Sequence, residues 1–356
     1  MNRPHNFSAG PCILPLEVFE KASQAVIDFD GSGLSILEIS HRSTAFVEVM
    51  EKARSLALEH LNLQAKGYKA LFMQGGASMQ FLMTAYNLLE KKAGYLDTGT
   101  WSANAIKEAE RFGEVKVLAS SKESNYNFIP KNYSIPNGLD YLHCTSNNTI
   151  YGTQMKAFPN TGETPLICDM SSDIFSREID YSQFDLIYAG AQKNMGPAGA
   201  TLVVVKEDIL GKVSRKIPSM MDYELFIKKE SMFNTPPVFS VYVSMLTLEW
   251  LSRHGGVSAI EKKNRAKSEL IYSEIDRNSL FEGFTAKDDR SMMNATFTLK
   301  NERLTPLFDK LWQSANLNGL NGHRSVGGYR ASMYNALSIE SVEVLVDVMK
   351  HFEKTI

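Results

Sequence analysis

Three cysteines in 356 residues, Cys12, Cys144 and Cys168, are too few and too scattered for a disulfide framework or a metal-binding knuckle. The last two lie in apolar strand-like runs, where buried reduced thiols account for them, and no metal is expected. An excess of either charge is also missing. With 38 Lys+Arg against 40 Asp+Glu the formal charge is -2, so no global positive field exists to hold a nucleic acid or an anionic membrane. Any anion site must be local. No run approaches the ~18 apolar residues of a spanning helix, and the opening "MNRPHNFSAGPCILPLEVFEKA" has none long enough for a signal peptide. The cytoplasm is the expected compartment. Internal repeats and low-complexity stretches are lacking as well. The 44% of hydrophobic residues can fill a sizeable core, and the length suggests about two domains.

What is present reads as alternating elements. Pro15 can open a helix running through Phe29, because its missing N–H is tolerated in a first turn and Val18, Ala22, Ala25 and Phe29 recur at helical spacing. "DGSGLS" breaks it, and a second helix fits "TAFVEVMEKARSLALEHLNL". Then "YKALFMQ" reads as a short buried strand, "GGAS" as a turn and "MQFLMTAYNLLEK" as the next helix. Strand-like runs recur at "AGYLDTG", "EVKVLAS", "DYLHCTS", "PLICDMS", "DLIYAG" and "TLVVVK", with helical pattern such as "SANAIKEAERFG" between several. This alternation predicts an α/β fold with a largely parallel sheet covered by helices. A break at Ser252–Gly256 precedes a charged helix and a strand, helix, strand, helix series. Its last helix puts Val342, Leu345, Met349 and Phe352 on one face. The expected organisation is an N-terminal segment at 1–15 near the active site, a large domain at 16–255 and a smaller α/β domain at 256–356.

Within that frame one lysine stands out. Lys193 follows a strand-like run, sits among small residues in "AGAQKNMGPAG" and precedes a second apolar run. An exposed lysine in a hairpin-like loop is the ordinary reading of such a stretch, so other residues must argue for more. "GGASMQF", from Gly75 to Phe81, puts small residues where a strand hands over to a helix, and the free N–H groups there can hold a phosphate. It lacks the Gly-Lys-Ser/Thr ending of a nucleotide loop. Asp169 ends the strand-like run before the lysine's, as a helix cap or as the partner of a buried cation. Trp101 opens a helix after a strand, as a packed hydrophobe or as a face for a flat cofactor. Together a phosphate cradle, a carboxylate, a stacking ring and a lysine are the parts that pyridoxal 5'-phosphate requires. Free lysine, with a pKa of about 10.4, is protonated at neutral pH, whereas as an imine it stores an aldehyde that a substrate amine can displace.

"NFSAGPCILP", "EISHRS", "GGAS", "IYAGAQKNMGPAG", "SMFNTPP" and "GHRSVGGYRASMYNA" occur in an order and near spacing that resembles the phosphoserine aminotransferases, over essentially the whole chain. The resemblance implies a homodimeric, class V, fold-type I pyridoxal-phosphate enzyme. Its activity would exchange an amino group between L-glutamate and 3-phosphohydroxypyruvate in serine biosynthesis. Members in some bacteria also serve the 4-phosphohydroxythreonine step of pyridoxal phosphate synthesis. By matching motif, Lys193 resembles the imine-forming lysine, Asp169 the ring-nitrogen partner and Trp101 the stacking ring. Ala77, Ser78 and Gln192 look like phosphate ligands, and Thr149 like a contact to the ring face bearing the phenolic oxygen. Asn234 and Thr235 look like phosphate ligands lent by the second subunit.

Both implied substrates carry two anionic ends. Arg330 resembles the α-carboxylate clamp, where a planar fork binds bidentately. His41, Arg42, His323 and Arg324 would form the distal anion pocket, which must take a carboxylate in one half-reaction and a phosphate in the other. Two readings compete. A cysteine desulfurase-like enzyme needs an exposed reactive thiol, for which only Cys12 is remotely placed. A non-catalytic α/β module would use "GGAS" for a phosphorylated ligand and Lys193 as a counter-ion.

Overall fold

The computed structural model describes residues 3–356, so Met1 and Asn2 of the 1–15 segment lie outside the described residues. Strand β1 (His5–Asn6) leads into α1 (Leu16–Ile27), for which Pro15 is the extended residue before the first turn rather than its opening residue. The helix stops two residues short of Phe29. There the backbone N–H turns to Leu34 O, and the Asp28 carboxylate accepts from Gly33 N. Phe29 is nevertheless buried, from the loop. Helix α2 (Thr44–His60) is capped by the Ser43 side chain and ends before Asn62, whose positive φ of 54° breaks the helical path.

Strand β2 (Tyr68–Gln74) hands over to α3 (Ala77–Leu88) through Gly75, at φ +97°, and an extended Gly76. The helix therefore begins two residues earlier than the sequence suggests, and Ala77 and Ser78 form its first turn. Next come β3 (Lys92–Asp97), α4 (Thr100–Ala109), β4 (Glu114–Ser120) and β5 (Tyr141–Thr145). A small hairpin, β6 (Asn147–Asn148) and β7 (Thr153–Gln154), precedes β8 (Leu166–Asp169), β9 (Leu186–Gly190) and β10 (Ala200–Lys206).

Seven of these strands form one sheet in the order β2-β10-β9-β8-β5-β3-β4. Only β10 runs against its neighbours; the pairs β3/β4, β3/β5, β5/β8 and β8/β9 are parallel. Alternate residues separate two cores. Tyr95, Tyr141, Ile167 and Tyr188 pack with Phe81, Ala105 and Ile106 of α3 and α4, while Leu142, Cys144, Cys168 and Ile187 pack with α1, α2 and Val241, Met245 and Leu248 further along the chain. Burial on both faces explains why these strands read as continuous apolar runs.

Helices α5 (Tyr223–Lys228) and α6 (Val238–Arg253) complete this part, and α7 (Gly256–Arg277) leaves it. Val257 and Ile260 of α7 belong to the large core, whereas Ile271 and Ile275 belong to a separate one. That second core lies against β11 (Phe281–Gly283) and β12 (Asn294–Leu299), then α8 (Thr305–Ser314), β13 (Leu317–Asn318), β14 (Tyr329–Ser332) and α9 (Ile339–Thr355). Strands β11, β12 and β14 make an antiparallel sheet. Val342, Leu345, Met349 and Phe352 of α9 are all buried in this core. So are Phe7 and Ile13, and β1 pairs with β13, which packs the N-terminal segment on the C-terminal part of the chain. Among the described residues no helix is long and apolar enough to cross a membrane.

Candidate active site

In an open α/β sheet the carboxyl ends of parallel strands are where ligands sit. Here Thr145, Asp169 and Gly190 end the neighbouring strands β5, β8 and β9, and a cavity of 390 Å³ opens beside them. Its wall includes Ala77, Ser78, Trp101, Thr149, Asp169, Gln192, Lys193, His323 and Arg330, all named from the sequence. Larger grooves exist on the surface, such as one of 560 Å³ between α1, α2 and α6, but its charges are those of an exposed face, with Lys52 paired to Glu249.

Lys193 does sit in a hairpin connection, between the antiparallel β9 and β10, yet its side chain turns inward. Its Nζ donates to Thr149 Oγ1 at 2.8 Å. The small neighbours have a geometric reason. A Cβ on Gly10, itself at φ +143°, would lie 3.4 Å from the Lys193 Cγ, and one on Gly196 would lie 2.5 Å from Ser244 Oγ of α6. Burial pushes the Lys193 amine down to about 8, against the opposing pull of Asp169. Asp169 is itself held above the usual carboxylate range by burial, which its hydrogen bonds from Ser171 and the charge of Lys193 only partly offset.

One Asp169 oxygen accepts from Ser171 N at 2.9 Å, so the carboxylate does shape the local turn. The carboxylate also lines the cavity. Two further polar atoms at the cavity wall, Thr145 Oγ1 and Trp101 Nε1, are buried without partners. The first turn of α3 supplies backbone N–H groups of Ala77 and Ser78 and the positive end of a helix. This donor set fits a flat ring with a cationic nitrogen, a carbonyl carbon within reach of an amine, and a phosphate.

Arg330 enters from β14. Nη1 donates to Thr149 O at 3.3 Å, Nε is buried without a partner, and the rest of the fork is uncommitted. His323 lies beside it, hydrogen-bonded to Ser325 Oγ, and burial and the charges of Arg330 and Arg324 favour its neutral form. Five sequence-derived residues do not line this cavity. His41 is buried in the turn before α2, and Arg42 and Arg324 are exposed. Asn234 and Thr235 form a loop beyond the end of β2, where Thr235 O accepts from Gln74. Conversely, Ala9 and Gly10 line the cavity; the sequence places their segment, 1–15, near the active site without naming either as a contact.

Cys12 also lies close, but it is no reactive thiol. Its Sγ donates to Lys193 O, and burial pushes it up to about 12.

Residues 5–345 match the family described as Aminotransferase class-V. The chain is 67% identical over 356 residues to a phosphoserine aminotransferase of Flavobacterium psychrophilum, covering 99% of this chain and 100% of that one. Among solved structures it is similar to phosphoserine aminotransferase from Bacillus circulans subsp. alkalophilus. That match has a TM-score of 0.96 and 46% identity over 100% of this chain and 99% of that one. It is also similar to the PLP-bound phosphoserine aminotransferase from Trichomonas vaginalis, with a TM-score of 0.93 and 35% identity over 98% of this chain and 100% of that one.

Proposed function

This chain belongs to the class-V aminotransferases, and from that premise we propose how its own residues carry out the reaction. It is a fold-type I, pyridoxal-phosphate-dependent transaminase that exchanges an amino group between L-glutamate and 3-phosphohydroxypyruvate in serine biosynthesis. The observation that carries the residue roles is the convergence of Lys193, Asp169 and Arg330 on one cavity.

When bound, pyridoxal 5'-phosphate supplies an electron sink for the pair left behind when a proton leaves the substrate Cα. Lys193 would hold it covalently through Nζ, and Asp169 would hold its ring nitrogen protonated. Trp101 would lie on the ring face, Thr149 near the phenolic oxygen, and Ala77, Ser78 and Gln192 on the phosphate. With substrate bound, the Lys193 amine would act as the base at Cα, taking up the proton on Nζ and returning it. A pKa near 8 suits both directions of that transfer. Arg330 receives the α-carboxylate in its open fork, and His323 faces the distal anion. The test is direct: purified protein with glutamate and 3-phosphohydroxypyruvate should form O-phosphoserine and 2-oxoglutarate. No product would sink the assignment.

Substrate choice gives a second test. Arg330→Ala should lower kcat/KM for glutamate and for alanine alike, since both carry an α-carboxylate. Arg42→Ala should damage glutamate and the phosphorylated acid and spare alanine. Equal losses on alanine in the two variants would remove Arg42 from a distal pocket.

We further propose a homodimer with composite sites, each with residues 16–255 as cofactor domain and 256–356 as substrate-side domain, working in the cytoplasm. His41, Arg42, Asn234 and Thr235, which do not reach their own chain's cavity, support this reading because they would then serve the partner's. Thr235→Asp would set a carboxylate against the cofactor phosphate, and Lys193→Ala removes the amine, so each homodimer should be inactive. Refolded together, about half the dimers are mixed, and in each of those one site joins an intact Lys193 to an intact Thr235. About a quarter of all sites should therefore be whole. Mixed dimers verified by mass but inactive would return Thr235 to its own subunit.

A further inference from the structure

The residue after the lysine is Asn194, which is buried and absent from the cavity wall. Its Nδ2 donates to Ile174 O at 3.0 Å, in the turn that follows Asp169. Its Oδ1 accepts from the backbone N–H of Asn335 at 3.0 Å, in the turn that follows the strand of Arg330. Asn335 reaches back to the same place: Nδ2 donates to Phe175 O at 2.9 Å and Oδ1 accepts from Asn264 of α7 at 2.9 Å. That turn is further closed by Lys267, whose ammonium donates to Met333 O, Tyr334 O and Leu337 O at 3.0, 2.8 and 3.0 Å. Lys267 is buried and, among the described residues, makes no ion pair, so its three protons are all spent on holding the turn.

Between Arg330 and Asn335 the backbone has little freedom. Arg330 N donates to Leu320 O, Ser332 N to Phe7 O and Met333 N to Met293 O. Arg330 and Asn335 thus belong to one short, anchored segment. We propose that Asn194 is a positioning residue for the transamination, tying the Lys193 turn to the Asn335 turn and so fixing the span between the lysine amine and the arginine fork. The inference rests on the reading of Arg330 as the carboxylate clamp.

The chemistry makes that span matter. In an α-amino acid the amine and the carboxylate share one carbon, so the reacting nitrogen is placed only if the clamp and the lysine keep a fixed separation. Misplacement by about 1 Å can cost on the order of 100-fold. Asn194 touches neither group of the substrate and acts only through its two neighbours.

The test is a double-mutant cycle on kcat/KM for glutamate, with cofactor affinity and amide exchange as readouts that do not depend on turnover. Asn194→Ala should lower kcat/KM by about 100-fold while the cofactor remains bound and fixed to Lys193. In the Arg330→Ala background the same substitution should add less than about threefold, because the span no longer serves a clamp. In the cofactor-free protein, the 333–337 amides should exchange faster in Asn194→Ala. If Asn194→Ala does not fold, the isosteric Asn194→Asp keeps an oxygen for Asn335 N but loses the donor to Ile174 O, and the same non-additivity is expected. An impaired Arg330→Ala with full additivity overturns the positioning role alone. An unimpaired Arg330→Ala removes the clamp and this inference with it. Unchanged exchange at 333–337 shows that Asn194 does not hold the turn.

Discussion

Lys193→Ala is expected to lose the borohydride-fixable cofactor adduct and to slow transamination by about 10²–10⁴-fold through loss of the base alone, with the fold intact. Among the described residues Lys193 is the only lysine in the cavity wall, so no second side-chain amine is placed to take over. Its side chain is hydrogen-bonded only to Thr149, and its amine is held at an unfavourable pKa by burial, so truncation removes little that stabilises the chain. The depressed pKa adds a check on the wild-type protein. Cofactor-free protein must offer a neutral amine to capture the aldehyde, and the neutral fraction rises with pH until the pKa is passed. Uptake followed by visible absorbance should therefore climb about tenfold per pH unit below pH 8 and level off above it. An ordinary lysine would keep climbing to about pH 10.4. A peptide map placing the reduced pyridoxyl group on another lysine would overturn the assignment.

What could be read beforehand follows a physical line. Periodicity marks burial, so the buried strands and the apolar face of α9 were legible, and strand ends followed from where apolar runs stop. That Lys193, Asp169 and Trp101 lie at the cavity was legible because each sits within four residues of such an end. Direction was not: nothing local in "ATLVVV" says that β10 runs against both neighbours, since pairing partners lie in other stretches of chain. The start of α3 was misplaced because Gly76, extended and without a side-chain cap, looks like part of the turn. Asn194, Asn264 and Asn335 were invisible for a similar reason. Each amide finds its partners far away in sequence, and an asparagine in isolation looks like a loop residue. The basic pairs show the limit most sharply. "HR" occurs twice, and of the four residues only His323 lines this chain's cavity.

Asp169→Asn should retain the shape of the site and lose most of its chemistry. The isosteric amide can still accept from Ser171 N, so the turn after β8 survives. It cannot offer a full negative charge to a protonated ring nitrogen, and a charge-assisted bond of this kind contributes about 1.5–3 kcal/mol, or roughly ten- to a hundred-fold in cofactor affinity. The effect on turnover should be larger than that on binding. Only the protonated ring withdraws the electrons from Cα, and without the carboxylate the nitrogen is expected to give up its proton. Burial works the same way: the pKa of Asp169 is already raised by its surroundings, so in the empty site the carboxylate is held at a cost that a cationic partner relieves. Cofactor-free protein should accordingly take up the protonated cofactor more tightly than an analogue whose ring nitrogen is replaced by carbon, and Asp169→Asn should abolish that preference. Near-normal turnover in Asp169→Asn, or a preference that persists, would leave Asp169 with only its bond to Ser171.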